Sequence, residues 1–122
     1  MVLRVLAAVA VLVSAAMHLY LWIDGYRDFE VIGPAFLLNA VGGAVIAVLV
    51  LVWDHWLPAL LTLGFGASTL GAFVVSTTVG LFGVEEQWRG WEVWTAAISE
   101  AAAILLGAVL LARSVRASGG EA

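Results

Sequence analysis

The sequence predicts an all-α membrane protein: four transmembrane helices in one bundle, with an internal echo that would make the bundle a duplicated two-helix hairpin. Three observations carry this. Of 122 residues, 64% are hydrophobic and 11% charged, and mean hydropathy is +1.10, whereas a soluble domain is roughly a quarter charged and just under half apolar. Four apolar runs reach the length of about 20 residues that crosses the hydrocarbon core. The segments between them are short, charged and aromatic, as residues at a membrane–water interface are.

The predicted spans are residues 5–23, 31–52, 57–82 and 91–112, in one domain covering 1–122, with 113–122 a polar, frayed tail. Arg4, Ser14 and Ala16 around an apolar core also fit a cleavable leader. Apolar residues continue to Ile23, however, which favours a first span. Pro34 and Pro58 each fall in a first helical turn, where a missing N–H costs little.

Composition excludes several functions. With no Cys, thiolate metal sites and dithiol redox chemistry are ruled out. A net charge of -4, with five Arg and no Lys, argues against nucleic acid. Arg4, Arg113 and Arg116 flank the termini and Arg27 and Arg89 flank the first and third connections. The positive-inside bias then places both termini in the cytoplasm of a plasma-membrane protein.

The echo is "YRDFEV", Tyr26 to Val31, against "WRGWEV", Trp88 to Val93. Each places an aromatic, an Arg, a second aromatic and a Glu before a span. Glu30 and Glu92 would meet the positive ends of helices two and four. Arg27 and Arg89 stand three residues before them, close enough to pair. Trp22, Tyr26, Trp88 and Trp91 then read as anchors at the outer interface, and Trp53 and Trp56 as anchors at the inner one. In the inner turn "WDHW", Asp54 is placed to cap helix three.

Counting inward from these phrases at about 1.5 Å per residue sets depth. His18 lies about 8 Å deep, Asn39 about 12 Å, Ser76, Thr77 and Thr78 roughly 6 to 9 Å, and Glu100 about 13 Å. Every helix therefore brings polar groups to one outer-leaflet layer. An acid or base in the span costs roughly 2.5 to 3.5 kcal/mol on an insertion scale, so Glu100 should face the bundle and find a partner. Small residues suggest the inward faces: Asn39, Gly42 and Gly43 in helix two; Gly64, Ala67, Gly71 and Thr78 in helix three; Ala96, Ala103 and Gly107 in helix four. His18 shares a stripe with Ser14 and Trp22. A Glu–His pair there would be a neutral hydrogen-bonded couple or a proton-responsive one. One His and one carboxylate are fewer ligands than a zinc site uses, and His55, across the membrane from His18, cannot share a haem with it.

The set "HLYLW", "GYR", "GPAFLLNAVGG" and "GLFG", followed by a late intramembrane Glu, resembles small four-helix bacterial membrane proteins of unassigned function. A weaker resemblance in layout, through "LLNAVGGAVIA" and "GFGASTLGAFVVSTT", is to fluoride-channel proteins. That likeness implies an antiparallel dimer and an anion path. Against it, "SAAMHLYLW" stands where that family has a Gly-rich first helix with an Arg, and Glu100 is an unfavourable neighbour for an anion.

Three functional classes follow, in order. The first is a non-catalytic membrane protein, a homo-oligomer or a subunit of a larger complex, whose polar layer holds a small ligand or a proton. The second is a small ion or solute transporter using Glu100 and His18. The third is a quinone- or lipid-linked enzyme, for which no nucleophile–base spacing and no cofactor motif appear.

Overall fold

In hydrocarbon the backbone must satisfy its own hydrogen bonds, so each apolar run becomes a helix. The computed structural model describes the backbone of residues 1–121 and the side chains of residues 1–117. It has four long helices: α1 (Val2–Asp24), α2 (Ile32–Val52), α3 (Trp56–Thr78) and α4 (Trp91–Glu121). A short 3-10 turn, Tyr26–Asp28, precedes α2. All four are long and apolar enough to cross a membrane. The chain is a multi-pass membrane protein with a four-helix architecture.

Packing is inside-out relative to a soluble bundle. The core is small: Ala7, Ala8, Val11, Ala47, Val50, Phe65 and Ala103 form its centre, while Leu38, Ile98 and Leu105 face outward. Lipid is as apolar as leucine, so close backbone approach and buried polar pairs, rather than burial of large side chains, bring membrane helices together. α1 packs on α2 and α4, and α3 packs on α4; α2 and α3 touch far less. The closest crossings are at glycines. A Cβ on Gly66 would stand 2.7 Å from the Glu100 carbonyl oxygen, and one on Gly107 would stand 2.6 Å from the Leu63 nitrogen. Gly43 faces Ala15 and Phe65 in the same way. The expected inward face of α3 is turned away: Gly64 and Gly71, like Gly42 on α2, have nothing near them, and Ala67 is exposed. Pro58, Ala59, Thr62, Phe65, Gly66 and Ser76 point inward instead.

The helix ends depart from expectation for local reasons. α3 stops at Thr78, short of Phe82, because Gly80, Phe82 and Gly83 all have positive φ. Leu81 and Val84 exchange two backbone hydrogen bonds of 2.9 Å across that turn. Helix α4 runs on to Glu121, through most of the expected tail; Ala122, and the side chains of residues 118–122, lie outside the described residues. The two echoing phrases are placed differently. Trp91 and Glu92 are the first residues of α4, but their counterparts Phe29 and Glu30 precede α2, whose first turn has no acid. The dipole contact therefore exists for Glu92 and not for Glu30, and the hairpins are out of step at this point.

At the opposite end, Arg4 closes the bundle. Its Nε donates to the Val50 carbonyl at 2.9 Å and its Nη2 to the Leu51 carbonyl at 2.8 Å, satisfying two orphan carbonyls at the C-terminus of α2 with a positive charge. Arg4→Gln should lower stability by about 1 to 2 kcal/mol. Unfolding of the purified protein in mixed micelles measures this; a stability equal to wild type would mean that water replaces the guanidinium without loss. The N-cap of α3 is His55, whose Nδ1 accepts from the Leu57 N–H at 3.1 Å, in place of Asp54. The His55 ring stacks on Trp53 at 4.5 Å.

Candidate functional site

α1 presents a stripe of Val11, Ser14, Ala15 and His18 to the interior, one face at helical spacing. Facing it on α4 is Glu100, 2% exposed. The Ser14 hydroxyl donates to Glu100 Oε2 at 2.7 Å and lies 3.5 Å from His18 Nδ1. His18 Nδ1 is 2.8 Å from the Ser14 carbonyl oxygen. A carbonyl only accepts, so Nδ1 carries a proton, and Nε2 is an acceptor when the ring is neutral. Glu100 and His18 are thus connected through Ser14 rather than paired directly.

A cavity of about 240 Å³ is lined by residues of all four helices and of the α3–α4 connection. His18, Asn39, Ser76 and Glu100, each expected at this depth, line it together with Ser68, Thr69 and Glu86. Asn39 Nδ2 donates to Thr69 Oγ1 at 2.9 Å, bridging α2 and α3. Its Oδ1 is buried without a hydrogen-bond partner, unlike the large majority of buried polar atoms. Thr77 and Thr78 stand apart from the cavity, bonded back to Val74 and Val75 carbonyls of their own helix. Ser76 organises the roof: its hydroxyl donates to the Val84 carbonyl at 2.9 Å and accepts from the Glu86 N–H at 3.0 Å. That holds the α3–α4 connection over the cavity.

Glu86 and Tyr26 form a pair that sequence reasoning missed. Tyr26, read as an interface anchor, donates its hydroxyl to Glu86 Oε1, joining the first connection to the third across the cavity mouth. Its ring stacks on Phe36 at 4.7 Å, and Phe36 meets His18 edge-on at 4.8 Å. Burial, reinforced by Glu86, pushes the Tyr26 hydroxyl above its ordinary value, so it keeps its proton and stays a donor. The signal available in the sequence was Glu86 in "GVEEQ", which reads equally well as a solvated loop acid. Tyr26→Phe should free the third connection at a cost of about 0.5 to 1.5 kcal/mol. Faster proteolysis of residues 79–90, with the helices intact, is the expected result; an unchanged cleavage rate would show that Ser76 alone holds the roof.

The other residues read as anchors lie at the two ends of the bundle. Trp53, Trp56, Trp88 and Trp91 are exposed, as are Arg27, Glu30 and Arg89, while Trp22 and Glu92 are half-buried. Trp88 packs edge-on against Phe73 at 4.6 Å, next to the cavity wall. Among the described residues no group of three or more His, Cys, Asp and Glu side chains stands close enough to hold a metal ion. Compared with known proteins, the chain matches no family model, no curated protein and no solved structure.

Proposed function

We propose that this is a non-catalytic integral membrane protein whose cavity between the four helices holds a small ligand. One observation carries the reading: a cavity of about 240 Å³ whose lining brings together polar residues from all four helices, His18, Asn39, Ser76 and Glu100, with Asn39 Oδ1 left unpaired. Polar residues that served merely to fasten helices would satisfy one another and leave no room between them. The volume exceeds the ~150 Å³ of an engineered cavity that admits benzene. Toward the Arg4 end, the space below Ser14 is filled by Val11, Ala7, Ala8, Phe65 and Ala103, which supports a blind pocket over a through-pore.

In this reading the protein sits in the cell membrane with both termini in the cytoplasm, as the Arg4, Arg113 and Arg116 bias suggests, and the cavity belongs to the outer leaflet. The outward-facing small residues Gly64, Ala67 and Gly71 support assembly with a second copy or another membrane subunit. Gentle purification followed by solvent extraction and mass spectrometry tests the pocket. One small molecule per chain is expected, depleted in Ala72→Phe, which intrudes on the cavity wall; equal recovery from Ala72→Phe would move the ligand elsewhere. Proteoliposomes should show no pH-dependent leak attributable to Glu100, and a leak abolished by Glu100→Gln would replace this reading with transport.

A further inference from the structure

The spare hydrogen-bonding capacity of the cavity is weighted toward acceptors; against them stand the Thr69 hydroxyl proton and the second hydrogen of Asn39 Nδ2. His18 has committed its Nδ1 proton to the Ser14 carbonyl, which leaves Nε2 free, an acceptor when the ring is neutral. Asn39 uses one Nδ2 hydrogen on Thr69, and its Oδ1 is buried and unpaired. Glu100 takes one hydroxyl from Ser14 on Oε2, and a carboxylate has acceptor capacity for more than one donor. Ser76 is fully engaged, giving its hydroxyl proton to Val84 and taking the Glu86 N–H. The lining contains no Arg, and the chain has no Lys. A second carboxylate, Glu86, stands at the mouth.

A lining weighted toward acceptors, with two carboxyl groups and no cation, selects a ligand that brings donors. An anion would face two carboxylates and find no cation. An alcohol brings a single O–H, too few for Glu100, Asn39 and His18 together. Resting on the cavity reading above, we propose that the occupant is a small organic ammonium ion with an apolar body, its N–H groups directed to Glu100 and Asn39 Oδ1 and its body lying among Phe36, Phe73, Ile32 and Val93. An ammonium nitrogen supplies several donors and the charge that matches Glu100. Moving that charge out of water is costly unless a partner of opposite sign is already in place. A phenyl ring with a two-carbon ammonium arm is somewhat larger than benzene, in keeping with a cavity larger than the ~150 Å³ that admits benzene.

The test uses the full chain in phosphatidylcholine nanodiscs, titrated with 2-phenylethylammonium and separately with 3-phenyl-1-propanol, its neutral counterpart of similar size. Binding is followed by calorimetry against empty nanodiscs, which removes simple partitioning into lipid. The expected result is saturable binding of the ammonium, at least tenfold tighter than of the alcohol. Asn39→Leu and Glu100→Gln should each weaken it at least tenfold, while Arg113→Gln, at the far end of the bundle, leaves it unchanged. Asn39→Leu at a half-exposed position keeps the test valid where Glu100→Gln impairs folding. Alcohol and ammonium binding equally well would overturn the ammonium assignment and leave the cavity reading standing. Saturation by neither, beyond the empty-nanodisc signal, would overturn both.

Discussion

Replacement of Gly107 by Val is expected to be the most damaging single substitution in the transmembrane region. The site has no room: a Cβ there would lie 2.6 Å from the backbone nitrogen of Leu63 and 2.9 Å from its Cα. Backbone cannot swing aside as a side-chain tip can, so α3 and α4 must separate along their length. Overpacking typically costs 1 to 3 kcal/mol when side chains can adjust, and about 3 kcal/mol or more is expected here because they cannot. Because Gly66 meets the Glu100 carbonyl at the same crossing, the shift would also carry Glu100 away from Ser14. Unfolding in mixed micelles, compared with Gly64→Val on the outward face of the same pair, measures the effect. Similar losses at both positions, with the oligomeric state unchanged, would mean that the α3–α4 contact is not the one described.

Ser14→Ala should rank second. Ser14 is fully buried and its hydroxyl is the donor that Glu100 Oε2 uses from α1. An interhelical hydrogen bond in a membrane is worth about 0.6 kcal/mol on average and up to roughly 1.7. Leaving a buried acceptor unmet costs about 1 to 3 kcal/mol, so a loss of about 2 kcal/mol is expected. A double-mutant cycle with Glu100→Leu isolates the contact: Ser14→Ala should cost little once the carboxyl is gone. Equal costs in both backgrounds would show that Ser14 acts through packing alone.

The parts of this architecture that were legible in the sequence are those governed by length. Four runs long enough to span had to become helices, and counting residues from the charged ends placed His18, Asn39, Ser76 and Glu100 at one depth. Rotation about each helix axis was harder, because a lipid-facing apolar residue and a core apolar residue look alike. Gly64, Ala67 and Gly71 formed as plausible an inward face as the true one through Thr62, Gly66 and Ser76. Positions of loop residues were harder still. Nothing local pairs Tyr26 with Glu86, and their contact exists because α1, α2 and α3 bring two connections to the same end. Ser14, seen as a neighbour of His18, gave no sign that it would stand between His18 and Glu100.

The seam between α2 and α3, where the two helices touch far less than α1 touches α2 or α3 touches α4 and where Asn39 bridges to Thr69, has a kinetic consequence. With Tyr26 and Glu86 fastened across the connections, this sparsely packed seam is the side that, on the ligand reading proposed above, would open to acyl chains. A guest would arrive sideways, from the population already dissolved in the bilayer. Its rate of capture would then follow its membrane concentration rather than its aqueous one, and weak affinity measured against bulk water would understate occupancy in a cell.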